Sequence, residues 1–192
     1  MNPAALICSL MVLIIFHNEI PFFKMAEMKR FVTPFRTKNK QIDFVGMLTY
    51  MNCILLLSAL YMNHFNIILL FKESIHSFWG NFIMLFGIFI IITASKTFAE
   101  FIMANTKHTE PKLIDLGIYS KLRHPRYLGE TLFWIGAGIS SNNIVILVVI
   151  SSLTLLVYFF TMNREEKSLI EGLGDSYVNY MKKTKRLIPM IY

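Results

Sequence analysis

The sequence predicts an all-α integral membrane protein with about five transmembrane helices, the last two forming a C-terminal helical hairpin. Of the 192 residues, 55% are hydrophobic and 16% are charged, whereas soluble domains carry about 25% charged residues. The apolar residues are gathered into long runs, and the basic residues lie between alternate runs. These three observations together are typical of a multi-pass membrane protein.

Five apolar runs are candidate transmembrane helices: residues 3–16 (with an alternative end near 23), 44–62, 78–94, 125–139 and 144–162. The fourth run gives about 22 Å of helix, which is shorter than the ~30 Å hydrocarbon core. The fifth run is long enough to cross. Between them the sequence Ser-Ser-Asn-Asn predicts a tight turn, so we expect the last two helices to be antiparallel neighbours.

The basic residues set the predicted orientation. Eighteen of the 19 Lys and Arg residues lie between runs one and two, between runs three and four, or after run five, and only Lys72 lies in an alternate loop. Because positive charge is retained on the cytoplasmic side, we expect an external N-terminus, a cytoplasmic C-terminus and five crossings. The net charge of +7 therefore indicates membrane topology and no nucleic-acid partner.

The polar sequence divides the chain into two regions. Residues 1–95 hold three N-terminal spans, and residues 96–192 hold the hairpin together with two polar segments of about thirty residues each. A protein that only spans a membrane does not need both segments, so we expect chemistry on the cytoplasmic side. The histidines and the two cysteines show no metal-ligand spacing, and we expect a monomer without a metal.

The first informative stretch opens run four. Gly117 permits a turn that a Cβ would obstruct. Pro125 suits the first turn of a helix and restricts His124 to extended geometry, so Arg123 and His124 should lie at the cytoplasmic end of the fourth helix. Backbone N–H groups at such an end can hold a carboxylate. Glu130 falls inside the apolar run, where an ionisable residue lines a cavity or finds a partner.

The second informative stretch follows run five. The fifth helix should continue beyond the apolar run and stop near Gly172 or Gly174, and Asp175 should cap a short helix that ends in two lysines. Glu165 and Glu166 are about 100° apart on a helix, so at most one of them points directly at a given site.

Together these stretches resemble the isoprenylcysteine carboxyl methyltransferases and their relatives, the membrane phospholipid N-methyltransferases. The shared pattern is a Gly–aromatic pair, Arg-His-Pro-x-Tyr-x-Gly, a helical hairpin, Glu-Glu-x-x-Leu-Ile and Gly-(Asp/Glu)-x-Tyr-x-x-Tyr. The matching residues here are 117–119, 123–129, 165–170 and 174–180. The resemblance covers about the last eighty residues, and residues 1–95 match only as hydrophobic spans.

The resemblance implies cytoplasmic segments that bind the methyl donor S-adenosylmethionine and release S-adenosylhomocysteine. It implies catalytic roles for Arg123, Glu130, Arg164 and Glu166. It also implies a cofactor site formed by Leu113, Ile114, Gly117, Ile118, Tyr119, His124, Pro125, Tyr127, Leu128, Glu165 and Glu166. In such a site Arg123 and His124 can meet the carboxylate of the donor, and a Glu of the pair its amino group or ribose.

The methyl acceptor should be a lipophilic molecule of the bilayer, and we favour the α-carboxylate of a prenylated cysteine. A phospholipid amine is the first alternative; it has to lose a proton, which Glu130 or Glu166 can accept. The second alternative is an NADPH-dependent sterol or steroid reductase, a class with a similar His-Pro-x-Tyr-x-Gly-Glu segment. The chain departs from the carboxyl methyltransferases at Thr161, where they carry an arginine, and Arg164 is a candidate replacement.

The small residues 136–138 of run four, Gly-Ala-Gly, allow two interpretations. They leave a lateral gap near Glu130 through which a lipid tail enters, or they permit close helix packing.

Overall fold

The computed structural model describes residues 44–64, 75–105 and 112–188. Within these ranges the regular secondary structure is helical: α1 (Phe44–His64), α2 (Ile75–Asn105), a 3₁₀ helix (Gly117–Ser120), α3 (Pro125–Ser140), α4 (Ile144–Leu173) and α5 (Asp175–Lys183). The first predicted span lies outside the described residues, and with it the count of five crossings and the side of the N-terminus.

Several predicted helix boundaries are confirmed. Helices α1 and α3 begin where apolar runs two and four begin, and α3 has Pro125 in its first turn. Asn143 caps α4, because its side chain accepts hydrogen bonds from the N–H groups of Val145 and Ile146. Helix α4 continues past the apolar run and stops at Gly174, which has a φ of 54° that glycine adopts readily.

Two expectations about helix ends are wrong. Helix α2 continues past the third apolar run to Asn105, so the first part of the long polar segment is helical. It contains no proline in this extension, and Phe101 and Ile102 are buried there, so packing continues beyond the apolar run. Asp175 lies in the first turn of α5, but Gly174 holds the N-cap position and no side chain caps the helix.

Four glycines bring α2 and α3 into close contact. An ideal Cβ on Gly80 would lie 2.7 Å from the carbonyl oxygen of Gly136, and one on Gly87 would lie 2.6 Å from the carbonyl oxygen of Gly129. These neighbours are backbone atoms, which cannot move aside as a flexible side chain can. The glycines are spaced seven residues apart on both helices and pair in reverse order, so they form one antiparallel stripe.

The packing of α3 also decides between the two interpretations of residues 136–138. A Cβ on Gly136 would lie 2.7 Å from Met84 of α2, and one on Gly138 would lie 2.9 Å from the backbone of Leu147 of α4. Ala137 is fully buried. The three residues therefore serve close packing on both sides of α3, which favours the second of the two interpretations.

Helices α1 and α4 meet through a buried polar contact. Asn52 is fully buried and donates a hydrogen bond from Nδ2 to the Thr154 hydroxyl at 3.1 Å. Nearby, Leu48 of α1 packs in one apolar cluster with Tyr158 of α4 and Leu187 of the C-terminal tail. In apolar surroundings a hydrogen bond between helices fixes their mutual position, because neither partner has water as an alternative.

Two of the described helices have the length and composition of membrane spans. These are His76–Ala104 and Ile144–Leu173, and only 28% and 22% of their most apolar stretches are buried. The core helix of a soluble protein would be mostly buried, whereas here Phe82, Phe86 and Phe160 are all more than half exposed. The outward faces of both helices therefore suit lipid.

The glycine stripe yields a stability prediction. Gly87→Leu should destabilise the protein, because the new side chain would displace the α3 backbone at Gly129 and Phe133. We expect a loss of about 1–3 kcal/mol, measured as a lower unfolding midpoint of the detergent-purified protein. Val148→Leu is the matched control, since Val148 is 55% exposed. Equal stability of the two variants would contradict the close approach of α2 and α3.

Candidate functional site

The 3₁₀ helix before α3 is held between α2 and α5. Gly117 has a φ of 55°, and a Cβ there would lie 3.1 Å from the Thr97 side chain in the extension of α2. On the other side, the Tyr180 hydroxyl of α5 donates to the carbonyl oxygen of Tyr119 at 2.6 Å. Burial raises the pKa of the Tyr119 hydroxyl to about 12. The long α2 therefore sets the position of the Gly–aromatic pair.

The backbone of His124 is not extended, contrary to the expectation. Its φ is −125° and its ψ is 57°. This geometry turns the carbonyl oxygen of His124 toward the helix, where it accepts from the N–H of Leu128 at 3.2 Å. The N–H of His124 points the other way and donates to the carbonyl oxygen of Arg186 at 3.1 Å. The start of the helix thus outweighs the usual effect of Pro125 on the preceding residue.

The C-terminal tail pairs with the segment that precedes α3. The N–H of Arg123 donates to the carbonyl oxygen of Lys185 at 2.8 Å, and the N–H of Lys185 donates to the carbonyl oxygen of Lys121 at 3.0 Å. These two hydrogen bonds form a short parallel bridge between Leu122 and Lys185. The Arg123 side chain also donates from Nη1 to the carbonyl oxygens of Met181 and Thr184. Arg123 therefore joins the C-terminal end of α5 to the N-terminal end of α3.

Glu166 lies at the centre of a partly buried ion cluster. Its Oε1 accepts from Arg123 Nε at 2.8 Å and lies 3.2 Å from His124 Nε2, and its Oε2 lies 3.0 Å from Arg186 Nη2. Glu166 lies beyond Met162, where the apolar part of α4 ends. Partial burial acts to raise the pKa of its carboxyl, but hydrogen bonds with His124 and Arg123 outweigh burial and lower that pKa to about 2. Glu166 is therefore ionised at neutral pH.

Arg186 belongs to this cluster, although no sequence motif assigned it a role. Its side chain is 8% exposed, it donates from Nη2 to Asn163 Oδ1, and its guanidinium lies 5.9 Å from the centre of the Phe159 ring. Arg186 lies twenty residues after Glu166, in a tail with no helical periodicity. Backbone hydrogen bonds between residues 121–124 and residues 185–186 bring it to the site, so no local pattern could have identified it.

The two glutamates of the pair differ in burial, but both carboxylates contact His124. The Glu165 side chain is 46% exposed, whereas that of Glu166 is 10% exposed. Glu165 accepts a hydrogen bond from the Tyr127 hydroxyl at 2.7 Å and lies 3.7 Å from His124 Nδ1. The two carboxylates therefore lie on opposite ring nitrogens of His124.

A second ion cluster lies deeper along α3. Glu130 is buried, and its Oε1 accepts from Arg126 Nε at 2.7 Å while its Oε2 accepts from the Tyr158 hydroxyl at 2.6 Å. The rings of His124, Tyr127 and Tyr158 follow one another at 5.6 and 4.9 Å between centres. The sequence predicted that Glu130 would find a partner, which is confirmed, but it did not identify Tyr158 because a tyrosine in an apolar run has no distinguishing pattern.

The remaining predicted residues lie at other positions of the same segments. Leu113 lines a surface depression of about 350 Å³, together with Asp115, Ser120 and residues of α5. Ile114 and Ile118 are half-buried, and Arg164 is exposed on α4. Leu128 packs against the apolar cluster of α1, α4 and the tail. Leu128 thus serves the core of the bundle.

Comparison with known proteins identifies a family for this chain. The phospholipid methyltransferase family matches residues 75–176. The protein-S-isoprenylcysteine O-methyltransferase of Schizosaccharomyces pombe is 30% identical over 101 residues, which cover 53% of this chain and 42% of that protein. The Xenopus laevis protein of the same name is 31% identical over 101 residues, covering 53% of this chain and 35% of its own length. The chain therefore spans about two fifths of these relatives or less.

The family match runs from the start of α2 into α5, and it includes the motif residues 117–119, 123–129 and 165–170. It therefore contains the residues from α3 and α4 that meet at Glu166, while Arg186 lies outside it. Because more than half of the sequence matches, this chain belongs to the phospholipid methyltransferase family.

Proposed function

We propose that this protein is an integral membrane methyltransferase that uses S-adenosylmethionine and methylates a lipophilic acceptor at the cytoplasmic face of the membrane. The observation that carries the proposal is the contact of His124 with both Glu165 and Glu166, because it joins the two motifs of the family at one point. The family match favours this function over the reductase alternative.

The residues around His124 suit the polar groups of the methyl donor. Glu165 is a half-exposed carboxylate, which suits an ammonium group or ribose hydroxyls. The side chain of His124 makes no capping hydrogen bond to α3, so the first-turn N–H groups of this helix suit a carboxylate. Arg123 and Arg186 carry two positive charges, and the Glu166 carboxylate that they share carries one negative charge. One net positive charge is therefore left near the carboxylate of the donor. Tyr119 and Tyr127 would pack on the rings.

When the acceptor is a carboxylate, the reaction needs little acid–base catalysis. When bound, S-adenosylmethionine supplies a methyl group on a sulfonium, and its transfer forms one O–C bond and leaves the C–S electron pair on neutral S-adenosylhomocysteine. No proton has to move. The protein contributes by orienting both reactants and by excluding water where opposite charges cancel. Arg164 on the exposed side of α4 is a further candidate catalytic residue.

We favour a prenylated cysteine carboxylate as the acceptor. Both relatives are named for O-methylation of an S-isoprenylcysteine. An amine acceptor would need a base to take its proton. Glu130 is not favoured as that base, because its two carboxylate oxygens already accept hydrogen bonds from Arg126 and Tyr158. The lipid tail should remain in the bilayer, because exposing each CH₂ to water costs about 0.8 kcal/mol. The acceptor head therefore reaches the site from the membrane side.

The first functional prediction concerns the cofactor class. The detergent-purified protein should bind S-adenosylhomocysteine in a calorimetric titration and show no response to NADPH. At a ligand concentration of 100 times Kd, binding should stabilise the protein by about 2.7 kcal/mol, which appears as a higher unfolding midpoint. Stabilisation by NADPH alone would end the methyltransferase proposal.

The second prediction separates the two glutamates. Glu165→Gln should raise the Kd for S-adenosylhomocysteine about ten- to a hundredfold at an unchanged unfolding midpoint, because Glu165 is half-exposed. Glu166→Gln should lower the midpoint as well, since it leaves two buried guanidinium groups without their carboxylate, a loss of about 3–5 kcal/mol.

Glu171→Gln is the control for these two variants, because Glu171 is exposed on the same helix outside the site. His124→Ala should weaken binding to the same extent as Glu165→Gln. Tyr177→Phe should leave the Kd unchanged, because Tyr177 is buried against Tyr180 with 5.7 Å between ring centres. Unchanged affinity in both the Glu165 and the His124 variants would show that the cofactor lies elsewhere.

The third prediction concerns topology. Single cysteines at exposed positions 121 and 179, in a chain without Cys8 and Cys53, should react with a membrane-impermeant maleimide only from the cytoplasmic side. Asn142 in the turn before α4 is 4% exposed and is unsuitable as a reporter of the opposite side. Labelling in detergent provides the full-reaction control. Reaction at either position in intact cells would reverse the proposed orientation.

A further inference from the structure

We propose that Arg126, held in place by Glu130 and Tyr158, binds the carboxylate of the methyl acceptor. The inference rests on the proposed function and deepens it, because it names the residue that recognises the acceptor and requires the acceptor to be an acid. Arg126 occupies the variable position of the Arg-His-Pro-x-Tyr motif, so the motif itself assigns it no role.

The position of Arg126 suits a ligand that comes from the membrane. It lies in the first turn of α3, two residues after His124, and its side chain is 15% exposed. Its Nε is bound to Glu130 at 2.7 Å, one turn deeper along the apolar helix. A guanidinium presents its donors as a planar fork that matches the two oxygens of a carboxylate. Arg126 therefore places a recognition group at the boundary between polar and apolar surroundings.

Glu130 and Tyr158 fix the orientation of that guanidinium. Both carboxylate oxygens of Glu130 are engaged, one by Arg126 and the other by the fully buried Tyr158 hydroxyl at 2.6 Å. Burying an ion pair in an apolar helix bundle is costly, and an isolated pair adds little stability. We infer that the pair is kept because it orients Arg126, with Glu130 and Tyr158 as positioning residues.

The cluster lies beside the proposed cofactor residues, and Arg126 has a different carboxylate partner from Arg123 and Arg186. Arg123 and Arg186 both bind Glu166. Arg126, by contrast, binds Glu130, whose other carboxylate oxygen accepts from Tyr158. The Tyr127 ring lies 4.9 Å from Tyr158, and its hydroxyl donates to Glu165. An acceptor carboxylate on Arg126 would therefore lie next to Glu165 and His124.

The test is a kinetic comparison with an N-acetyl S-prenyl cysteine as the acceptor. Arg126→Gln should raise the KM for this acceptor about ten- to a hundredfold, because a charge-assisted hydrogen bond is lost, while the Kd for S-adenosylhomocysteine stays unchanged. The KM of Arg126→Lys should lie between those of the unmodified protein and Arg126→Gln, because lysine keeps the positive charge and loses the planar fork of donors. Lys121→Gln, which removes an exposed cation on the same side, is the matched control.

A double variant guards against misfolding. Arg126→Gln leaves Glu130 buried without its charged partner, whereas Arg126→Gln with Glu130→Gln removes both charges and keeps the net charge. The double variant should retain the unfolding midpoint and S-adenosylhomocysteine binding but show the raised KM. Tyr158→Phe should raise the KM by a smaller factor with the same cofactor Kd, as expected for a positioning residue.

Competition with the carboxamide of the same acceptor gives a readout that a purely structural role would not change. The unmodified protein should bind the carboxylate more tightly than the carboxamide, and Arg126→Gln should lose this preference. A retained preference, or an unchanged KM in the double variant, would overturn the inference while leaving the proposed function intact. Methylation of a phospholipid amine with no activity on the acid would also overturn it. Failure to bind S-adenosylhomocysteine would instead overturn the proposed function.

Discussion

The ionised carboxylate of Glu166 is the interaction on which the rest of the site depends. It contacts three basic side chains from two segments that are far apart in sequence: Arg123 and His124 before α3, and Arg186 in the tail. A carboxylate with so little exposure is stable only with such partners, and each buried guanidinium likewise needs the carboxylate. These contacts fix three elements together: the N-terminal end of α3, the C-terminal end of α4 and the tail. None of them can shift alone.

Close packing of α3 supplies the second constraint. The glycines at 80, 87, 129 and 136 bring α2 and α3 to backbone contact, which leaves no freedom to rotate α3 about its axis. With α3 held in this rotation, Tyr127 and Glu130 reach α4, where Glu165 and Tyr158 are their partners. The apolar packing between α2 and α3 thus determines which polar groups of α3 and α4 meet.

The two ion clusters suggest a division of labour along α3. The cluster around Glu166 engages the end of α5 through Arg123 and so holds α5 and the tail to the start of α3. The cluster around Glu130 lies deeper, where a lipophilic acceptor would arrive. The aromatic rings of His124, Tyr127 and Tyr158 connect them. This arrangement suits methylation of an acid, because that reaction needs two oriented reactants and no proton transfer.

The sequence alone determined the features that depend on neighbouring residues. Apolar runs and turn residues predicted α1, α3, α4 and the end of α4 at Gly174, because helix formation and its stop signals are local. The motifs predicted that residues 123–124 and the Glu165-Glu166 pair lie together, and the structure brings them into contact. Only the tertiary structure decided which glutamate of the pair is buried, that α2 continues to Asn105, and that Arg186 and Tyr158 take part. These follow from contacts between distant segments, whose geometry no local pattern encodes.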